Sequence, residues 1–131
     1  MDEHPNGALM RSVFESFAAG DVAAMEAAFD DDLTWHAPGT NRFSGQFRGP
    51  AAAMERFAQM REAGISTSFD VHDVVANDEH AIALAHLHLE VADRRRYDQP
   101  QVAVAHVRDG RIVEFWTMNQ DQAVLDLLIG G

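Results

Sequence analysis

The chain has 131 residues, the length of one domain, and can bury a single core without disulfide or metal staples. It contains no cysteine, its ten basic residues are all arginine, and its formal net charge is −11. Disulfides, thiolate nucleophiles, Cys-containing zinc sites and lysine Schiff-base chemistry are thereby excluded, and nucleic-acid or anionic-membrane partners, which require a basic surface, are not expected.

In chain order, Ala8 to Ala19 reads as an amphipathic helix, with Leu9, Val13, Phe14 and Phe17 on one side and Arg11 and Glu15 on the other. Gly20 ends it and Asp21 caps a short second helix, Val22 to Phe29. The acidic run Asp30-Asp31-Asp32 stops that helix. Leu33 to His36 is a predicted strand, turned by Pro38-Gly39, and a loop leads to a third helix starting at Gly49-Pro50 and ending at Gly64. The rest reads as a meander of four long strands: Ser66 to Ala76, His80 to Val91, Gln101 to Arg108 and Arg111 to Thr117. Asn77-Asp78-Glu79 and Asp109-Gly110 supply the tight turns, and Asp93 to Gln99 a polar, Arg-rich connection. Ala123 to Ile129 forms a terminal helix capped by Asp121. Three helices followed by a meander is an α+β layout, a curved antiparallel sheet wrapped around the helices.

The segments A-A-G-D before the second helix, D-D-L-T-W-H-A-P-G with a following F-S-G, and V-R-D-G-R-I-V-E-F-W resemble, in order and spacing, the SnoaL-like branch of the nuclear transport factor 2-like superfamily, which includes ketosteroid isomerases and polyketide cyclases. The resemblance spans nearly the whole chain, residues 1–131, as one SnoaL-like domain. It implies a cone-shaped α+β barrel of cystatin-like layout, with an internal hydrophobic pocket, no cofactor and a homodimer. The family's acid–base sets are not retained. The place of the ketosteroid-isomerase catalytic Asp is taken by His36, its oxyanion Tyr falls at Val13 and its oxyanion Asp at Ala105. The cyclase E-H-W-D reads Glu114-Phe115-Trp116-Thr117, so the Asp base is replaced by Thr117.

His36 is the first catalytic candidate, because a neutral imidazole at the end of a strand can take a proton from carbon or water. It is expected at the cavity wall; its plainer role is to order the loop. Asp121 is the second, against its plainer role as a helix cap. Val13, Phe17, Trp35, Phe57, His86, Ala105 and Thr117 are the expected ligand contacts. His86 and His88 share a strand face, as a metal pair would, but no carboxylate–His signature accompanies them and no metal is assigned.

Two functions follow from the resemblance and these residues. One is a cofactor-independent isomerase- or cyclase-type enzyme acting on an apolar carbonyl compound, with His36 as base and Asp121 or water assisting. The other is a non-catalytic binding or carrier domain for a small hydrophobic molecule. The amino terminus has neither the basic nor the apolar part of a secretory leader, and no apolar run approaches a membrane span. A cytoplasmic protein of a GC-rich bacterial genome is expected, with no nucleic acid or membrane as partner.

Overall fold

The computed structural model describes residues 3–92 and 95–130. These residues form four helices and one six-stranded curved, unclosed sheet. The elements are α1 (Pro5–Ala19), α2 (Val22–Ala27), β1 (Phe29–Ala37), β2 (Gly45–Arg48), α3 (Pro50–Glu62), β3 (Ser66–Ala76), β4 (His80–Glu90), β5 (Arg96–Arg108), β6 (Arg111–Asn119) and α4 (Gln122–Ile129). Strand order is β2-β1-β6-β5-β4-β3. All pairs are antiparallel except β1 with β6, which run parallel. The expected α+β architecture is present, with the expected terminal helix as α4 and a mixed rather than purely antiparallel sheet. No helix among the described residues is long and apolar enough to cross a membrane.

Helix α1 starts three residues earlier than its apolar period suggests. His4 caps it, its Nδ1 accepting from Asn6 N at 3.0 Å. Asn6 in turn donates to the carbonyls of Asn77 and Asp78, which ties the start of α1 to the β3–β4 turn. Helix α2 ends two residues earlier than expected, and the acidic run belongs to β1 instead. Phe29 pairs with Ile112, whose N–H donates to Ala28 O at 2.9 Å. Burying Phe29 edge-on to Trp35 and Phe115 outweighs the weak strand propensity of three aspartates. Arg108 lies 3.6 Å from both Asp30 and Asp32 and offsets their charge.

Strand β2 has no strong pattern of its own; it forms by pairing with the edge of β1, Trp35 opposite Phe47 and His36 opposite Gln46. Strand β5 begins at Arg96, so most of the expected polar connection is strand, paired from Glu90–Arg96 onward. Asp93 and Arg94 of that connection lie outside the described residues. The Asp109-Gly110 turn has φ of 53° and 77°, the doubly positive pattern of a two-residue hairpin. Helices α1 and α3 pack on one face of the sheet. The main core joins Met10, Val13, Phe29, Leu33, Trp35 and Phe115, and a smaller one joins Met60, Leu87, Leu89 and Leu125 beneath α4.

Candidate functional site

Strand alternation divides the sheet's chemistry into two sets. Trp35 and Phe115 point inward, where their rings stack at 4.2 Å. Their chain neighbours His36, Glu114 and Trp116 point outward, beside His106. A single step along β1 or β6 therefore crosses from an aromatic pocket to a cluster of titratable groups.

The inner pocket lies between α3, the sheet and α4. It has a volume of about 90 Å³ and includes Trp35, Arg56, Phe57, Phe69, Gln101 and Thr117 in its wall. A deeper apolar cavity of about 40 Å³ adjoins it and shares Trp35, Phe57, Phe69, Gln101 and Thr117, with Val13 and Phe17 from α1 added. Phe17, Phe57 and Trp35 meet edge to face, with centroids 5.2–5.3 Å apart. Among the described residues, the one charged side chain in either wall is Arg56. Its Nε donates to Phe43 O at 2.8 Å, and its guanidinium carbon sits 5.6 Å from the ring centres of both Phe47 and Phe57. Burial brings its pKa down to about 10, as desolvation does to any cation.

Polar groups continue from this pocket to the protein surface as a directed chain. Gln101 Nε2 donates to Asn119 Oδ1 at 2.7 Å, Asn119 Nδ2 donates to Gln122 Oε1 at 2.7 Å, and Gln122 Nε2 donates to Asp126 Oδ1 at 3.0 Å. Asp126 also accepts from Asn41 Nδ2, Thr40 N and the Thr40 hydroxyl. Burial alone would raise the Asp126 pKa, but bonds from Gln122, Asn41 and Thr40 outweigh it and hold the pKa below the usual range. Asp126 fastens α4 to the β1–β2 loop, so the helix closes over the pocket with Leu125 beneath it. Gly39 permits this approach: with φ of 92°, it has no Cβ to collide with the Asp126 carboxylate and Gln122 amide.

On the outer face, the His36 Nε2–H donates to Glu114 Oε2 at 2.6 Å and His106 Nδ1–H donates to Glu114 Oε1 at 2.9 Å. The His36 bond first, and the His106 bond with it, hold the Glu114 carboxyl below its usual range. Gln46 lies 3.4 Å from the other His36 nitrogen. A shallow cleft lined by His36, Pro38, Glu114, Trp116 and Thr117 opens beside this group. Further along the same face, His88 bridges Asp98 and Asp70, each at 2.7 Å, and the two bonds raise its pKa.

The structure brings Val13, Phe17, Trp35, Phe57 and Thr117 together in the inner cavities. His36, expected at that cavity wall, lies on the opposite face because Trp35 occupies the inward phase of β1. Asp121 is the N-cap of α4, its carboxylate accepting from Val124 N at 3.3 Å. Ala105 is fully buried within the core, and His86 is exposed on the outer face beside His88; neither reaches the inner pocket. The residues not anticipated are Arg56, Glu114 and the Gln101–Asp126 chain. Gln99 and Gln101 carried a signal: they sit on the inward phase of β5, in line with Ala103 and Ala105, where an amide must find a partner. Gln99 does so with Asp121, donating to its carbonyl and accepting from its N–H.

The SnoaL-like domain model matches residues 10–115, and the chain belongs to that family. An uncharacterised protein of Mycobacterium tuberculosis, Rv0034, is 28% identical over 120 residues, covering 90% of this chain and 91% of its own. An NTF2-like protein of unknown function from Burkholderia pseudomallei superposes with a TM-score of 0.88 at 20% identity, covering 98% of this chain and 100% of its own. TerC, solved as a co-crystal with polyporic acid, superposes with a TM-score of 0.86 at 16% identity, covering 96% and 98% of the two chains. These structural likenesses establish the shared fold.

Proposed function

We propose that this protein is a small-molecule binding domain of the SnoaL-like family, taking a one-ring, mostly apolar ligand into the inner pocket beneath α4. The observation that carries the reading is the segregation of the two faces. The enclosed pocket is aromatic and amide-lined and has no imidazole or carboxylate in its wall, whereas the imidazole–carboxylate pair lies outside. General acid–base catalysis needs the proton acceptor within about 3 Å of the substrate atom, and the inner wall offers none. The cavities are small. Each lies below the roughly 150 Å³ at which an apolar cavity accepts a benzene-sized molecule, so a single ring enters as the lining side chains give way, and both are far from the roughly 300–1,000 Å³ that drug-sized ligands fill. A fused multi-ring polyketide or steroid does not fit this closed form. That TerC was crystallised with an organic ligand supports ligand binding on this fold.

A second reading is favoured by one observation, the His36–Glu114 pair facing the outer cleft with Trp116 alongside. There, His36 would act as a base oriented by Glu114. A thermal-shift panel of small cyclic ketones, lactones and aromatic compounds separates the two. The binding reading expects hits that stabilise the wild type and His36→Ala alike, lose their effect in Phe57→Ala, and are returned unchanged. Turnover of a hit by the wild type, abolished in His36→Ala, would establish the second reading instead.

The outer face carries Val75, Ile82, Leu84, Val102, Val104 and Met118, with no helix of the described residues packed on it; Val75 and Met118 are each half exposed. A homodimer through this face accounts for that apolar stripe. Light scattering on the wild type and Val104→Glu tests it: a dimer converted to monomer is the expected result, and a monomeric wild type would refute it.

A further inference from the structure

Resting on the reading of the inner pocket as a binding site, we propose that its ligand is a small aryl carboxylate bearing a hydroxyl group, its carboxylate held by Arg56 and its hydroxyl donating to Gln101 Oε1. Both side chains line the wall, and each keeps hydrogen-bonding capacity that no described residue takes up.

Arg56 lines the pocket, yet no carboxylate among the described residues lies within 4 Å of it. The chain has 21 acidic residues for ten arginines, so this is not for want of counterions. Only Nε has a hydrogen-bond partner, the Phe43 carbonyl. The four remaining N–H donors of the fork have none among the described residues, and they are the ones suited to a bidentate carboxylate. Phe47 and Phe57 flank the guanidinium. They limit its hydration, and its Nε bond to Phe43 O holds it in place, so an anion arriving there meets a preset cation. A partly buried cation without a counterion is costly, and an anionic ligand removes that cost. The overall charge of −11 repels anions at long range, so selectivity must come from this one local cation.

Gln101 supplies the second element. It is 6% exposed, and its Oε1 is a buried acceptor with no partner among the described residues. The orientation of its amide is dictated from the far end of the chain. Ionised Asp126 can only accept, so Gln122 must present its NH₂ there and its oxygen to Asn119. Asn119 then donates to Gln122 and offers its oxygen to the Gln101 NH₂. The Gln101 oxygen is what remains, buried on a side chain that lines the same cavity wall as Phe57, Phe69 and Thr117. Buried acceptors are seldom left unpaired, and a ligand hydroxyl satisfies this one. The two adjoining cavities, about 90 and 40 Å³, admit a single ring only when their lining side chains give way, which makes the ligand an aryl carboxylate rather than a polycyclic acid.

Isothermal titration of the wild type at pH 7.5 with benzoate, 3-hydroxybenzoate and neutral benzamide and cyclohexanone tests this. Benzoate should bind at least about tenfold tighter than benzamide, the size of one charge-assisted pair, and 3-hydroxybenzoate tighter still. Arg56→Gln should abolish the preference for benzoate over benzamide; Arg56→Lys should restore part of the preference. Gln101→Leu should remove only the gain from the hydroxyl. If benzamide or cyclohexanone binds the wild type as tightly as benzoate, the carboxylate assignment falls while the pocket remains a binding site. If Arg56→Gln keeps the full preference, the assignment to Arg56 falls. Should none of the four probes bind, the pocket reading fails together with the inference. The wild-type comparison decides the charge question even where a variant does not fold.

Discussion

The inner and outer faces of one sheet, separated by a single residue step, carry opposite chemistries. The inner face is aromatic and alanine-rich, and its polar groups include neutral amides and one part-buried guanidinium. The outer face carries imidazoles and carboxylates beside exposed aliphatic side chains. The inner set supplies the buried core, whereas the outer set carries the groups that titrate. Trp35 and His36 show how narrow the division is: one closes the pocket and the other cannot reach it.

The comparison breaks most visibly under truncation. Phe115→Ala should cost about 3–5 kcal/mol, because it empties the inner stack between Trp35 and Phe29. Urea denaturation measures this, and a cost under about 1 kcal/mol would mean the inner face is not the stabilising one. Asp126→Ala should cost about 1–3 kcal/mol, since it strands the donors of Thr40, Asn41 and Gln122. Amide exchange in α4 should accelerate ahead of exchange in the sheet; unchanged protection would show that α4 is held by Leu125 alone.

Outer-face changes should be smaller. Glu114→Gln should cost under about 1 kcal/mol at neutral pH, because the group is part-exposed and screened. Its carboxyl has a depressed folded pKa. The associated stability is therefore present above the ordinary glutamate value of about 4.3 and lost as pH falls through the lower folded value. Wild type and variant should converge in acid. His88 has the opposite sign. Asp98 and Asp70 raise its pKa, so its contribution is complete below the ordinary histidine value of about 6.5 and lost as pH rises through the raised one. The melting-temperature difference between wild type and His88→Ala should be larger at pH 6 than at pH 9. A gap that grows with pH would contradict the bridging geometry.

The architecture was legible because apolar periodicity and turn chemistry agree along most of the chain. Gly20-Asp21, Gly49-Pro50 and Asp109-Gly110 each mark a boundary through a local backbone requirement. The errors arose where pairing overrode local preference. Asp30 to Asp32 entered a strand because Phe29 pairs with Ile112, and Gly45–Arg48 became a strand because β1 offered an edge. The site was less legible for a similar reason. Placing His36 required the phase of β1, and that phase is set by the stacking of Trp35 on Phe115, eighty residues away. Arg56 reads as an ordinary helix arginine until the rings of Phe47 and Phe57 are seen beside it.

The two tryptophans lie on opposite faces, Trp35 in the pocket wall and Trp116 beside His36 and His106. Their indole N–H signals, assigned with Trp116→Phe and followed during titration with benzoate, report on each face separately. Occupation of the inner pocket predicts that the Trp35 signal shifts saturably while the Trp116 signal stays in place. A saturable shift of Trp116 with Trp35 unmoved would place binding at the outer cleft and contradict the account.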